Sequence, residues 1–92
     1  MVTAIAVAVT GDAVISAHRT TFVGLSVRNA TGAANTVSLY DNASAASGTV
    51  IAVVDLVATV GHAWIAVPCG VRCENGLYLD STGAITGSVW VG

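Results

Sequence analysis

The sequence predicts an all-β chain, a small antiparallel β-sandwich or jelly-roll-like barrel that works as an oligomer. Three observations carry this. Val, Ile and Thr supply 31 of the 92 residues, and side chains branched at Cβ are stiff at χ1 and pack well on a pleated surface. Turn-type clusters recur along the chain at Gly11-Asp12, 29–35, 41–48, Gly61, 68–70, 74–76 and 81–83, the spacing of short strands in a sandwich or barrel. No window shows an apolar stripe of period 3.6 with caps, which a helix would need.

The elements follow in order. Residues 1–10 alternate small and branched apolar side chains, and Val2, Ile5, Val7 and Val9 argue for a strand against an Ala-rich helix. In 21–28, Val23, Leu25 and Val27 share one face and Phe22, Gly24, Ser26 and Arg28 the other, since alternate residues of a strand point to opposite sides. In 36–40, Val37 and Leu39 oppose Thr36, Ser38 and Tyr40; both stretches read as half-buried strands. Residues 50–57 differ. Val50, Ala52, Val54 and Leu56 form one face, and Ile51, Val53 and Val57 form the other with Asp55. Both faces are apolar, whereas one face of an antiparallel sandwich strand is normally wet, so another part of the chain or a second subunit is expected to cover it. Residues 1–10 share this two-sided character.

The run 49–67 has the length of a membrane span. Asp55 inside it would cost roughly 2.5–3.5 kcal/mol near a bilayer centre, and Gly61 and His62 break the rest. It is read as two strands with a turn near Gly61. After turns at 68–70 and 74–76, residues 77–80 form a strand ending at Asp80. In the last strand Ile85, Val89 and Val91 share a face with Gly87, and Trp90 lies opposite with Thr86 and Ser88. A Trp on a polar strand face is either a partner contact or a ring lying on its own sheet or under a loop.

Composition narrows the function. Only 9% of residues are charged and 54% are hydrophobic, against about 25% charged in an ordinary soluble domain, which excludes a disordered chain. Three Arg, no Lys and a net charge of −2 leave no basic patch for nucleic acid. The apolar start carries no Lys or Arg ahead of Ala6-Val7-Ala8, so it does not read as a secretory signal. The length suits one domain, residues 1–92, with 1–20 serving as an N-terminal arm or as a strand used in assembly. A domain this small buries only about 60–65% of its unfolded surface, so much of its apolar content would face water in a monomer. Val50, Ile51, Val53, Val54, Trp64 and Trp90 are the expected interface residues.

Chemistry-bearing constellations are thin. Cys69 and Cys73 flank Gly-Val-Arg. As zinc ligands they would need partners, for which His62, His18 and Asp80 are candidates, and no second paired motif exists. A disulfide depends on geometry and compartment. The favoured reading is two small thiols packed as buried hydrophobes. Asp80-Ser81-Thr82-Gly83 is near the Asp-Thr/Ser-Gly of aspartic proteases, but an extra residue separates the Asp from Thr-Gly, and the residues suit a turn. There is no Gly-x-Ser-x-Gly elbow and no Gly-rich loop opening a helix. Asp12, Asp41, Asp55, Asp80 and Glu74 share no spacing; Asp41 and Asp80 are expected to accept hydrogen bonds from turn amides. Asn29-Ala30-Thr31 and Asn42-Ala43-Ser44 match the glycosylation pattern as chance occurrences in turns. No residue is read as catalytic, cofactor-binding or metal-binding, and the chain is read as not an enzyme.

The stretch FVGLSVRNATGAANTVSLYDNASAASGTVIA joins a strand, an Ala/Gly turn, a strand ending in Leu-Tyr-Asp and a small-residue loop; CENGLYLDSTGAITGSVWVG closes the chain with Gly-Leu-Tyr-Leu-Asp, a Gly turn and a last strand. Together they resemble small all-β virion structural proteins of tailed bacteriophages, of the capsid decoration or cement type. The resemblance covers residues 22–92 and rests on turn-and-strand patterns; the first twenty residues have no counterpart in it. It implies a protein that stabilises the head by bridging subunits of the phage major capsid protein. It also implies a homotrimer, a place on the capsid surface of the virion after synthesis in the host cytoplasm, and no cofactor, nucleic acid or membrane. The alternative is a tail, spike or head-fibre module binding a host glycan, with Tyr40, Trp64, Tyr78 and Trp90 able to stack on sugars.

Overall fold

A computed structural model describes residues 4–92. Within them the chain runs through eight strands: β1 Ile5–Val9, β2 Ala13–Ser16, β3 Thr20–Asn29, β4 Asn35–Asp41, β5 Thr49–Leu56, β6 His62–Cys73, β7 Leu77–Ser81 and β8 Ile85–Val91. They form two four-stranded sheets of order β1-β8-β3-β6 and β2-β7-β4-β5. Every pairing is antiparallel. This strand order is that of a jelly roll, in which an eight-stranded chain winds twice through a Greek key. The shortest dimension, 17 Å, is that of two layers stacked about 10 Å apart.

The core lies between the sheets and comes from the faces that alternation marks out. Leu25 and Val27 from β3, Val37 and Leu39 from β4, Leu77 and Leu79 from β7, and Ile85 and Val89 from β8 are almost wholly buried. Each such side chain contributes about 1.5–3 kcal/mol of transfer free energy. Thr36, Ser38 and Tyr40 point outward from β4, and Thr86, Ser88 and Trp90 from β8, as expected. The turn near Gly61 also stands where the sequence puts it: Gly61 is buried and donates to Val57 O at 3.1 Å, while Asn29 N donates to Gly61 O at 2.8 Å.

Bulges account for most departures from simple alternation. Phe22 is 1% exposed and shares the core face with Leu25, although alternation sets it with Gly24. The register of β3 against both neighbours jumps between Phe22 and Gly24, and the unpaired Val23 reverses the parity of everything before it. Opposite, residues 67–70 of β6 form the other side of that irregularity, with Gly70 at φ 72°. The expected turn at 68–70 is therefore a bulge inside one long edge strand. Pro68 is tolerated there because an edge strand need not donate on its free side.

On β5, Leu39 pairs with Ala52 and Tyr40 with Val50, skipping Ile51. Val50 thus moves to the outer face, and Ile51 turns in with Ala52 and Val54 to pack against the core. The outer face of β5 is not covered by the chain: Val50, Val53 and Val57 are 51%, 54% and 64% exposed. Residues 1–3 of the predicted first strand lie outside the described residues. The remainder of the 1–20 segment forms β1 and β2, edge strands of the two sheets; the strand at 13–16 has no counterpart in the sequence reading.

Two buried asparagines tie the loops to the sandwich. Asn29 Nδ2 donates to Ala33 O at 2.7 Å and Val57 O at 3.0 Å, and its Oδ1 accepts from Thr31 N at 2.9 Å and Thr31 Oγ1 at 2.8 Å. Asn35 Nδ2 donates to Ala84 O at 3.1 Å, and its Oδ1 accepts from Thr82 Oγ1 at 3.0 Å and Gly83 N at 3.1 Å. A buried amide must find such partners, and among the described residues no buried side-chain polar atom lacks one.

Candidate interaction surfaces

The side chains with chemical character sit on the two outer faces. On the β1-β8-β3-β6 sheet the register builds three rows across the strands. Ala6, Trp90, Gly24 and Ala66 form one; Ala8, Ser88, Ser26 and Trp64 the next; Thr86, Arg28 and His62 the third. The Trp64 and Trp90 rings meet edge to face, with centroids 6.2 Å apart and planes at 71°, a favoured aromatic geometry. Trp90 is held in place: its Nε1 donates to Ser88 Oγ at 3.0 Å, and its six-membered ring lies over Gly24, where a Cβ would come within 2.6 Å of Cε3 and would also collide with Ile65 O. Trp90 therefore lies on its own sheet, while Trp64 stands beside it 66% exposed.

On the opposite sheet, Val14, Tyr78, Tyr40 and Val50 form one continuous row, one residue from each strand. Next to it lie Asp80, Ser38 and Val53, then Thr36, whose Oγ1 donates to Asp55 Oδ1 at 2.9 Å. The expected interface residues are thus divided. Trp64 and Trp90 come together on one face, Val50 and Val53 lie on the other, and Ile51 and Val54 are turned into the core. The four aromatics likewise fall as two pairs on opposite sides of the molecule.

Two of the five acidic groups serve turns. Asp41 accepts from Glu74 N at 3.2 Å and Asn75 N at 2.8 Å, pinning the turn between β6 and β7, as the sequence reading expects. At the β7–β8 turn that role falls to Asp12, which accepts from Ser81 N at 2.8 Å, and not to Asp80. Asp80 and Ser81 end β7, and the turn that follows at Thr82-Gly83 is organised by Asp12 and Asn35. Asn29, the first residue of one glycosylation pattern, is buried with its amide fully engaged. Glu74 approaches Arg19 at 3.9 Å and Arg72 at 3.7 Å, exposed pairs of little energetic consequence.

The two thiols are free and differ in setting: Cys73 is buried, but Cys69 is exposed because it sits in the β6 bulge, which corrects the expectation of two buried thiols. Burial pushes the Cys73 thiol above its ordinary range, and the Asp41 carboxylate adds to the shift. A groove of about 560 Å³ opens at the bulge, walled by Val23, Val67, Pro68 and Cys69. Among the described residues no charged side chain lines it. Among the described residues no three metal-ligating side chains cluster, and no helix is long and apolar enough to cross a membrane.

No protein-family model matches the chain, and no curated protein or solved structure matches it either. The functional reading therefore rests on the surfaces themselves.

Proposed function

We propose that the chain is a virion structural protein of a tailed bacteriophage, a capsid cement or decoration protein that stabilises the head by bridging subunits of the major capsid protein. The observation that carries this reading is the character of the outer faces. Val14, Val50, Val53, Val57 and Trp64 stand 46–66% exposed on a charge-poor sandwich, while Asp12, Asp41, Asn29 and Asn35 are engaged in holding turns and loops. Contiguous exposed apolar surface marks a contact with another macromolecule, and lasting interfaces are apolar and large, about 2,000 Å² or more. The jelly-roll winding supports the reading by analogy of fold, since viral capsid domains use it, although a fold alone does not carry function.

The test is co-sedimentation with expanded capsids assembled from the major capsid protein alone. The chain should pellet at a fixed ratio to capsid subunits and raise the temperature at which the capsids disassemble. A chain left in the supernatant overturns the reading.

One observation favours the second reading, a tail, spike or head-fibre module that binds a host glycan. Trp64 presents an open ring in a corner formed with the immobilised Trp90, beside the hydroxyl of Ser26 and the side chains of Arg28 and His62. Lectin domains also use this fold. A glycan array settles it: hits that vanish in Trp64→Ala support the module, and an array without hits removes it.

A further inference from the structure

We infer that β1 is a docking edge for a second copy of this chain, pairing antiparallel with its own counterpart across a two-fold axis. The inference rests on the strand edges and not on the capsid reading. A sheet edge exposes unpaired main-chain N–H and C=O groups, and proteins guard such edges with bulges, charges, proline or shortness. Of the four edge strands, three carry guards. β2 has only four residues and a register break between Val14 and Ser16. β5 has a bulge and Asp55. β6 has Pro68, Arg72 and the four-residue irregularity at 67–70.

β1 carries no bulge, no charge and no proline, and at five residues it is longer than β2. Its sequence is Ile-Ala-Val-Ala-Val, its register against β8 is unbroken over all five residues, and Ile5 at its start is 66% exposed. Among the described residues only β8 pairs with it.

The occupant is argued from self-complementarity. An antiparallel register that sets Val7 against its own copy places Ala6 opposite Ala8 and Ile5 opposite Val9. Branched residues then meet branched ones on the inner side, and methyl groups meet methyl groups on the outer side. No like charges oppose one another, and neither partner must bury a charge. The two β1-β8-β3-β6 sheets become one continuous sheet of twice the strand number, and Ile5 gains cover. Such a contact between identical strands is isologous and closes at two copies, so it replaces the trimer implied by the resemblance. The seam is shorter than a standard interface, so the pair dissociates on dilution.

Light scattering on the full chain between about 1 and 500 µM should show the mass rising from 9.1 kDa to twice that value and no further. Ala6→Lys with Ala8→Lys puts like charges directly opposite across the seam. That variant should stay at one chain mass throughout, with an unchanged far-UV circular dichroism spectrum, because both positions are exposed. Ala6→Lys with Ala8→Glu places opposite charges across the same seam and should restore the pair. A wild-type mass fixed at one chain, a trimer, or a Lys/Lys variant that still pairs would each overturn the proposal.

Discussion

Gly24 decides where Trp90 can lie. A methyl group at that position would enter the space of the indole and of the Ile65 carbonyl, so Gly24→Ala should lift Trp90 off the sheet. Overpacking of this kind costs about 1–3 kcal/mol; it should appear as a lower melting temperature together with a shift in tryptophan emission. The buried asparagines work by the same logic of occupied space and satisfied groups. Asn29→Ala would leave Thr31 N without its acceptor and take one of two donors from each of the Ala33 and Val57 carbonyls, which should cost about 1–3 kcal/mol in a urea titration.

The two thiols give a further test at this scale. In the native protein Cys69 should react rapidly with a thiol reagent and Cys73 only on unfolding. Because burial and then Asp41 raise the Cys73 thiol in the folded state, the unfolded chain gives up that proton first. The contribution of Cys73 is intact below the ordinary thiol range and is lost as pH rises through the raised folded value. Urea midpoints of the wild type should therefore fall more steeply above about pH 8.5 than those of Cys73→Ala.

β5 shows at the scale of the element why sequence alternation goes only part of the way. Val53 and Val54 are neighbours of the same residue type, yet the first is 54% exposed and the second packs against the core. Val53→Asp should fold with stability within about 0.5 kcal/mol of wild type. Val54→Asp, which places an unpaired carboxylate among apolar groups, should lose more than about 3 kcal/mol. The same comparison by chemical denaturation tests Asp55→Ala, which gives up one exposed hydrogen bond from Thr36 and should be tolerated. The sandwich class, the core faces of β4 and β8 and the turn at Gly61 were legible because each rests on period-two alternation or a turn residue. The bulges at Val23 and Ile51 were not: an extra residue in a strand leaves no mark in composition, and it moves Phe22 into the core and Val50 out of it. Pro68 and Gly70 did leave a mark, but the same residue types serve a turn and a guarded edge.

For the whole molecule, the surface is 4959 Å², close to the roughly 4,900 Å² that a compact monomer of this mass exposes. The apolar excess is therefore concentrated on the faces and edges of a well-closed sandwich and is not the result of an open chain. The sequence made Trp64 and Trp90 legible as surface aromatics. Their meeting across β3 and the Val14–Tyr78–Tyr40–Val50 row depend on strand order, which no local pattern encodes. In the proposed role these faces hold the chain in a virion. Quantitative mass spectrometry of purified phage particles whose genome encodes the chain, with immunogold labelling of the same particles, tests it most directly. A cement protein should be present in copy number comparable to the major capsid protein, with label over the head. Particles free of the chain, or label confined to the tail, would contradict it.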